Sequence, residues 1–303
     1  EDAEGESFTE MIETINENSI GFVKALEELT NFENESKSLL FYGSTGLGKT
    51  FTGSEKMVQL RASINLVVCQ KSKIDDWVKH FKMYYVDYKT FNLAATTKEE
   101  KMRNEAILLN CKYNTNVKCV LVINYDLLWR RPELANLTNF TLMLDESSLI
   151  QNEKSKRSKF ILKQLKPANI ILLSGTPTGG RYEKLYSQLK LLGMKLTKTA
   201  FYNTYIEYHY ENTVGFPLLV IDGYKNVERL KRKMRDYGCH FLKTEDVLEL
   251  PDQIFTTVRV PVSKEYRKFR KDMVIEVDGT TLVGDNTLTK MLYERQLCAQ
   301  YST

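Results

Sequence analysis

The clearest chemistry in this chain lies in Gly43-Ser44-Thr45-Gly46-Leu47-Gly48-Lys49-Thr50, directly behind the apolar run Leu39-Leu40-Phe41-Tyr42. The stretch fits G-x-x-x-x-G-K-[ST] at every fixed position. A strand that runs into a glycine turn and then a helix offers phosphate a row of backbone N–H groups and a positive helix end. Gly43, Gly46, Leu47 and Gly48 would form the wrapping loop. Lys49 would reach the β and γ phosphates, and the Thr50 hydroxyl would hold Mg²⁺. A nucleoside triphosphate is the expected ligand.

Two further clusters could act on such a ligand. Asp145-Glu146 follows the apolar run Phe140-Thr141-Leu142-Met143-Leu144. Asp145 would sit near the metal, and Glu146 would polarise the attacking water as general base. A helix N-cap is the plain alternative for this acidic pair. Ser174-Gly175-Thr176-Pro177 follows Ile170-Ile171-Leu172-Leu173. Its hydroxyls and glycine would couple the γ-phosphate region to another surface, with a simple turn as the alternative.

The elements that must position these clusters are short apolar strands at Leu39–Tyr42, Asn65–Cys69, Cys119–Ile123, Thr141–Leu144 and Ile170–Leu173. Apolar runs without alternation suit strands covered on both faces, and their alternation with helical segments predicts an α/β fold with a mostly parallel open sheet. Ligands bind such sheets at the carboxyl ends of the strands. The polar clusters Gly43–Thr50, Gln70–Trp77, Asn124-Tyr125, Asp145–Ser148 and Ser174–Thr178 all fall just past strands.

Residues 1–37 read as a polar helical segment in which Phe22, Leu26 and Leu29 share a face, with a frayed acidic start at Glu1, Asp2, Glu4 and Glu6. Residues 181–247 are rich in Tyr, Lys and Leu and read as mainly helical, as at Tyr182–Leu192 and Val227–Tyr237, with a small hairpin within Asn212–Gly223. Leu250-Pro251 stops an element. A strand at Ile254–Val262, a helix at Glu265–Val274, a hairpin turn at Asp278-Gly279 and a helix over 286–300 complete the reading.

Composition sets bounds. A chain of 303 residues that is 42% hydrophobic supports one large or two ordinary domains. A formal charge of +4 permits a nucleic-acid partner without arguing for one. The five cysteines include no C-x-x-C pair and the three histidines are scattered, which disfavours a structural zinc site and suits a reducing cytosol. No run approaches the ~20 apolar residues that span a bilayer, so no membrane association is expected. The acidic N-terminus is unlike a signal peptide.

Taken in order, the motifs resemble the first motor lobe of superfamily 2 DNA helicases and translocases, in the Swi2/Snf2-like branch, and especially its phage and prophage members. Gly46–Thr50 is similar to motif I of that family. Val67-Val68-Cys69-Gln70 with Asp76-Trp77 and Phe81 resembles motif Ia, Ile123–Leu128 a strand-end segment placed near DNA, and Asp145-Glu146-Ser147-Ser148 with Ile150 and Asn152 the acidic box. Leu173–Pro177 is similar to motif III, and Phe241–Val247 with Leu250-Pro251 to the link between lobes.

The resemblance implies a RecA-like ATP-binding lobe over 38–180, a helical insertion-like segment over 181–247, and a linker with the start of a second RecA-like lobe over 248–303. It implies ATP and Mg²⁺ as cofactors and DNA-dependent ATP hydrolysis. Lys71, Lys73, Asn124, Tyr125, Ser174, Gly175 and Thr176 would be the DNA-facing or coupling residues. DNA, held mainly through its phosphates, and the second lobe are the implied partners. A cytoplasmic place in a bacterium or phage-infected host is implied. The basic cluster Lys154, Lys156, Arg157 and Lys159 would extend the DNA surface or form a solvated helix face. Tyr42-Gly43-Ser44-Thr45 looks equally like the loop of an AAA+ helicase loader, and no adenine-reading glutamine precedes it. A loader or a nucleotide-dependent switch therefore stays open beside the motor.

Overall fold

The computed structural model describes residues 38–43, 47–95, 117–176, 180–213, 215–242, 261–277 and 279–300, with 97, 102, 178, 256 and 257. The N-terminal segment 1–37, Leu250-Pro251 and most of Ile254–Val262 lie outside them. The chain divides into two units, 1–250 and 251–303.

Unit 1 is built on a parallel sheet. Strand β1 (Ser38–Gly43) leads to helix α1 (Lys49–Gln59), β2 (Ile64–Cys69) and, after a 3-10 turn at Lys71–Lys73, α2 (Ile74–Tyr84). Then come β3 (Lys89–Asn92), β4 (Cys119–Asn124), the one-turn helix α3 (Tyr125–Leu128), β5 (Phe140–Asp145), α4 (Lys156–Lys163) and β6 (Asn169–Ser174). The strands order as β3-β4-β2-β5-β6-β1-β9, with β9 at Cys239–Leu242. Every pairing within it is parallel.

The strands hold this arrangement because both faces are covered. Alternate residues enter two separate cores, as the period-two geometry of a strand requires. Leu40, Leu66, Leu121, Leu142 and Leu172 enter one. Leu39, Phe41, Val67, Val120, Met143 and Leu173 enter the other. In the second core α2 lays down Ile74, Trp77 and Phe81, spaced three and four apart on one helical face. Helix α1 comes close to the sheet because Gly53 lacks a side chain. A Cβ there would stand 2.8 Å from Leu173 Cδ1 and 3.0 Å from Met143 Sδ.

The first core is covered by α4, α5 (Tyr186–Leu191), α6 (Lys198–Tyr205) and α7 (Val227–Asp236) through Phe160, Leu189, Phe201, Leu230 and Met234. The expected end of the lobe at 180 falls short of this sheet, since β9 pairs with β1 from Leu40↔Cys239 to Gly43↔Leu242. The edge strand β3, Lys-Thr-Phe-Asn, was not foreseen, being too short and polar to stand out.

The hairpin expected within 212–223 is longer. Strand β7 (Ile206–Thr213) pairs antiparallel with β8 (Phe216–Tyr224), with an irregularity at Glu207/Tyr208. Tyr208 and Tyr210, two apart, meet at 5.9 Å between ring centroids. This is a period-two pattern in a stretch whose acids and tyrosines resemble a polar helix.

Unit 2 contains α8 (Lys264–Asp272), the hairpin β10 (Val274–Val277)–β11 (Thr280–Val283) and α9 (Thr287–Gln300), gathered on Phe269, Ile275 and Leu297. The hairpin turns where Asp278-Gly279 predicts, with Gly279 at φ 76°. Among the described residues no helix is long and apolar enough to cross a membrane.

Candidate nucleotide site

Strands β1, β5 and β6 are neighbours, so their carboxyl ends open on one edge of the sheet. From β1 the chain passes through Gly43 into the glycine loop, of which Ser44, Thr45 and Gly46 lie outside the described residues. Leu47 is fully buried and anchors the loop to the fold. Gly48 sits at φ 66°, a left-handed conformation natural to glycine, and precedes the first turn of α1. Lys49 Nζ donates to Gly43 O at 2.8 Å. Thr50 is half-buried beside it.

Asp145 ends β5 and Glu146 turns away from it at φ 55°, ψ 56°, a conformation uncommon outside glycine. The buried Tyr125 hydroxyl steadies this turn by donating to Asp145 O at 2.8 Å and Glu146 O at 3.4 Å. The Trp77 indole Nε1–H donates to Asp145 Oδ2 at 2.9 Å. From the end of β6, the Ser174 hydroxyl and the Gly175 N–H donate to the Glu146 carboxylate. Beyond the acids, Ser147 Oγ donates to Gln188 Oε1 at 2.9 Å, tying the turn to α5. Gly175 closes the cluster: a Cβ there would lie 3.6 Å from Gly43 O and 3.7 Å from Lys49 Nζ.

Burial holds the Lys49 ammonium below its ordinary pKa, opposed by the carboxylates of Glu146 and Asp145. Burial pushes Asp145 up, opposed by the Trp77 N–H and then by Lys49. Glu146 is raised by burial and next by the negative charge of Asp145, while the Ser174 and Gly175 donors lower it. One ammonium and two partly desolvated carboxylates thus share a small region with a hydroxyl-bearing helix start. The set fits the expected group. Lysine and backbone N–H suit phosphate, and the oxygen donors of Thr50 and Asp145 suit a hard cation such as Mg²⁺.

The residues expected to face nucleic acid separate into two groups. Lys71 and Lys73 are exposed, with Lys73 Nζ 2.9 Å from Asp76 Oδ2, and Thr176 is exposed at the end of β6. Asn124 and Tyr125 are buried, contrary to expectation. The apolar surroundings of the strand end draw the Tyr125 ring inward, and its hydroxyl serves the acidic turn. Ser174 is also fully buried, with its hydroxyl turned to Glu146. Of the basic cluster, Lys156 Nζ lies 4.7 Å from the centre of the Trp129 ring, and Arg157 Nη1 is 3.7 Å from Asp126 Oδ1.

Sequence reasoning placed Trp77 in a motif without seeing its partner, because 68 positions separate it from Asp145. Gln188 carried no signal at all. Its polarity in a helix that reads as surface-bound gives no hint that it is buried beside Ser147.

A model of the SNF2-related domain matches residues 22–302 of the chain. The chain is 26% identical over 153 residues, 48% of its length, to the ISWI chromatin-remodeling complex ATPase ISW1 of Saccharomyces cerevisiae, and covers 13% of that protein. It is 21% identical over 270 residues, 85% of its length, to the SWI/SNF chromatin-remodeling complex subunit snf22 of Schizosaccharomyces pombe, and covers 16% of that protein. It thus spans less than a fifth of either relative. In fold it is similar to the Sulfolobus solfataricus SWI2/SNF2 ATPase core in complex with dsDNA, with a TM-score of 0.56 and 16% identity, covering 93% of this chain and 58% of that one.

Proposed function

Because the chain belongs to the SNF2-related domain family, we propose that unit 1 is the ATP-binding first lobe of a DNA-dependent ATPase that moves on or remodels duplex DNA. The observation that carries this reading is the meeting of Lys49, Asp145, Glu146, Ser174 and Gly175 at the carboxyl ends of three adjacent strands. Backbone N–H groups of the loop and Lys49 would hold the triphosphate. Thr50 and Asp145 would hold Mg²⁺, which supplies charge neutralisation at the phosphates. Glu146 would take a proton from the attacking water. Its hydrogen bonds from Ser174 and Gly175 would keep the carboxylate ionised and aimed.

The exposed Lys71, Lys73 and Thr176 lie beyond strands of the same sheet and would contact the DNA backbone; a structural relative at 16% identity is in complex with dsDNA, which supports DNA as the partner. A second RecA-like lobe, whose start would follow a linker within residues 248–303, would complete the ATP site.

ATP hydrolysis by the full-length protein, measured alone, with single strands and with duplex DNA, tests this. Duplex stimulation is expected, and Lys49→Ala should remove about 100-fold or more of it. Hydrolysis indifferent to DNA in the wild type, or unaffected by Lys49→Ala, overturns the reading. Assembly on a replicative helicase without DNA stimulation would favour the loader.

A further inference from the structure

Trp77 belongs to the buried layer between α2 and the sheet, stacked on Phe81 with ring centroids 5.8 Å apart and edge-on to His80 at 5.8 Å. Only 3% of its surface is exposed. Packing alone would be met by a phenylalanine. What distinguishes tryptophan here is a single polar atom, and that atom is spent on Asp145 Oδ2 at 2.9 Å. A buried indole N–H needs a partner, and a carboxylate that accepts from it gives up one oxygen and its freedom to rotate.

We propose that Trp77 is the positioning residue of the acidic turn: it pins Asp145 through Oδ2 and presents the other carboxylate oxygen for Mg²⁺. The inference rests on the nucleotide-site reading above. Two further observations fit it. The Asp145 backbone is held separately, by Tyr125 at its carbonyl, so Trp77 acts on the side chain, where the Glu146 N–H is the other hydrogen-bond donor to the carboxylate. In addition, Trp77 stands in the first turn of α2, immediately after the turn that carries the exposed Lys71 and Lys73. One rigid element therefore joins the acidic turn to a basic surface. The N–H also favours the ionised carboxylate, opposing the burial that raises Asp145.

The test is equilibrium binding of a fluorescent ATP analogue to the full-length protein, titrated with Mg²⁺, in the wild type, Trp77→Phe and Trp129→Phe. Trp129 is the chain's other tryptophan; it lies against Arg130 and Lys156 and its indole makes no bond to either acid. Loss of a partner that orients a metal-ligating side chain typically costs 10–100-fold in metal affinity. Trp77→Phe is therefore expected to raise the half-saturating Mg²⁺ concentration about tenfold or more, with metal-free nucleotide binding unchanged and Trp129→Phe like wild type. A Trp77→Phe titration that superimposes on wild type overturns the inference alone. A wild type with no Mg²⁺-dependent nucleotide binding overturns the nucleotide-site reading and this inference with it.

Should Trp77→Phe not fold, the indole N–H resonance of Trp77 is followed by NMR in the full-length protein labelled selectively at tryptophan, with the Trp77 signal assigned apart from that of Trp129. It is expected to shift when Mg²⁺ and nucleotide are added together and to stay still with nucleotide alone. No shift on adding both likewise overturns the inference.

Discussion

At the scale of single residues, the site depends on how each charge is held. Glu146 would be a poor base if its carboxylate were merely buried, because burial and Asp145 both favour the protonated form. Ser174 counters this by donating its hydroxyl to the ionised carboxylate. The sign of a substitution follows. Removing the donor in Ser174→Ala raises the pKa of Glu146, so the base stays protonated to higher pH. The acid limb of the kcat/KM profile for ATP hydrolysis should lie above the ordinary carboxylate range in the wild type and move further up in the variant. A limb that stays in place would detach Ser174 from Glu146. The sequence offered Lys49, Asp145 and Glu146 as candidates because the pattern that marks them is local: each follows an apolar strand within a few positions. It left Ser174 as an unspecified coupler and set Tyr125 on the wrong side. A hydroxyl's partner depends on which strands are neighbours, and β5 and β6 are adjacent only in space.

At the scale of elements, α1 must lie flat on β6, β1 and β5, and α2 on β3 and β4, for the loop and Trp77 to reach the acids. Gly53 sets that approach. In an exposed helix Gly→Ala would gain roughly 1 kcal/mol from propensity. Here the new Cβ would overlap Leu173 Cδ1 at 2.8 Å and press on Met143 Sδ at 3.0 Å, both on buried side chains. Overpacking of this kind costs about 1–3 kcal/mol, so Gly53→Ala should be destabilising on balance and Gly53→Val more so, read by denaturant unfolding.

The seam between the same helices holds His80, 3.0 Å through Nε2 from Ser54 Oγ. Ser54 spends its proton on Thr50 O at 2.9 Å, so its oxygen accepts from His80 in the neutral state. Burial lowers His80 from 6.5 to about 4. The folded state thus binds fewer protons than the unfolded one between those values. Stability from this group is complete above pH 6.5 and lost as pH falls through 4, a swing on the order of 3 kcal/mol. His80→Gln should flatten that part of a plot of unfolding free energy against pH. The alternation of strand and helix told the sequence reader where α1 and α2 lie. It gave no sign of Gly53's role, because a glycine in a helix reads only as a weak point until the opposing Leu173 is seen.

At the scale of the whole molecule, the mild net charge of +4 conceals an uneven distribution. Residues 1–21, which precede the part matched by the SNF2-related domain, hold seven acidic residues and no lysine or arginine. The remainder is more basic by those seven charges, and its lysines include the exposed Lys71 and Lys73, which are proposed to contact DNA. Binding that runs through phosphates releases counterions and weakens steeply with salt. An acidic segment tethered to the same chain competes for the same cations, and repels the duplex over a Debye length of about 10 Å at 0.1 M salt. Deleting residues 1–21 should therefore tighten duplex binding by severalfold at low salt. The gain should shrink toward nothing as ionic strength rises to about 0.5 M, where the Debye length is only a few ångströms. Fluorescence anisotropy with a labelled duplex across a salt series reads both effects. A gain that persists at high salt would mean that the segment blocks the surface by shape rather than charge, and no gain at any salt would mean that its acids lie out of reach of the DNA.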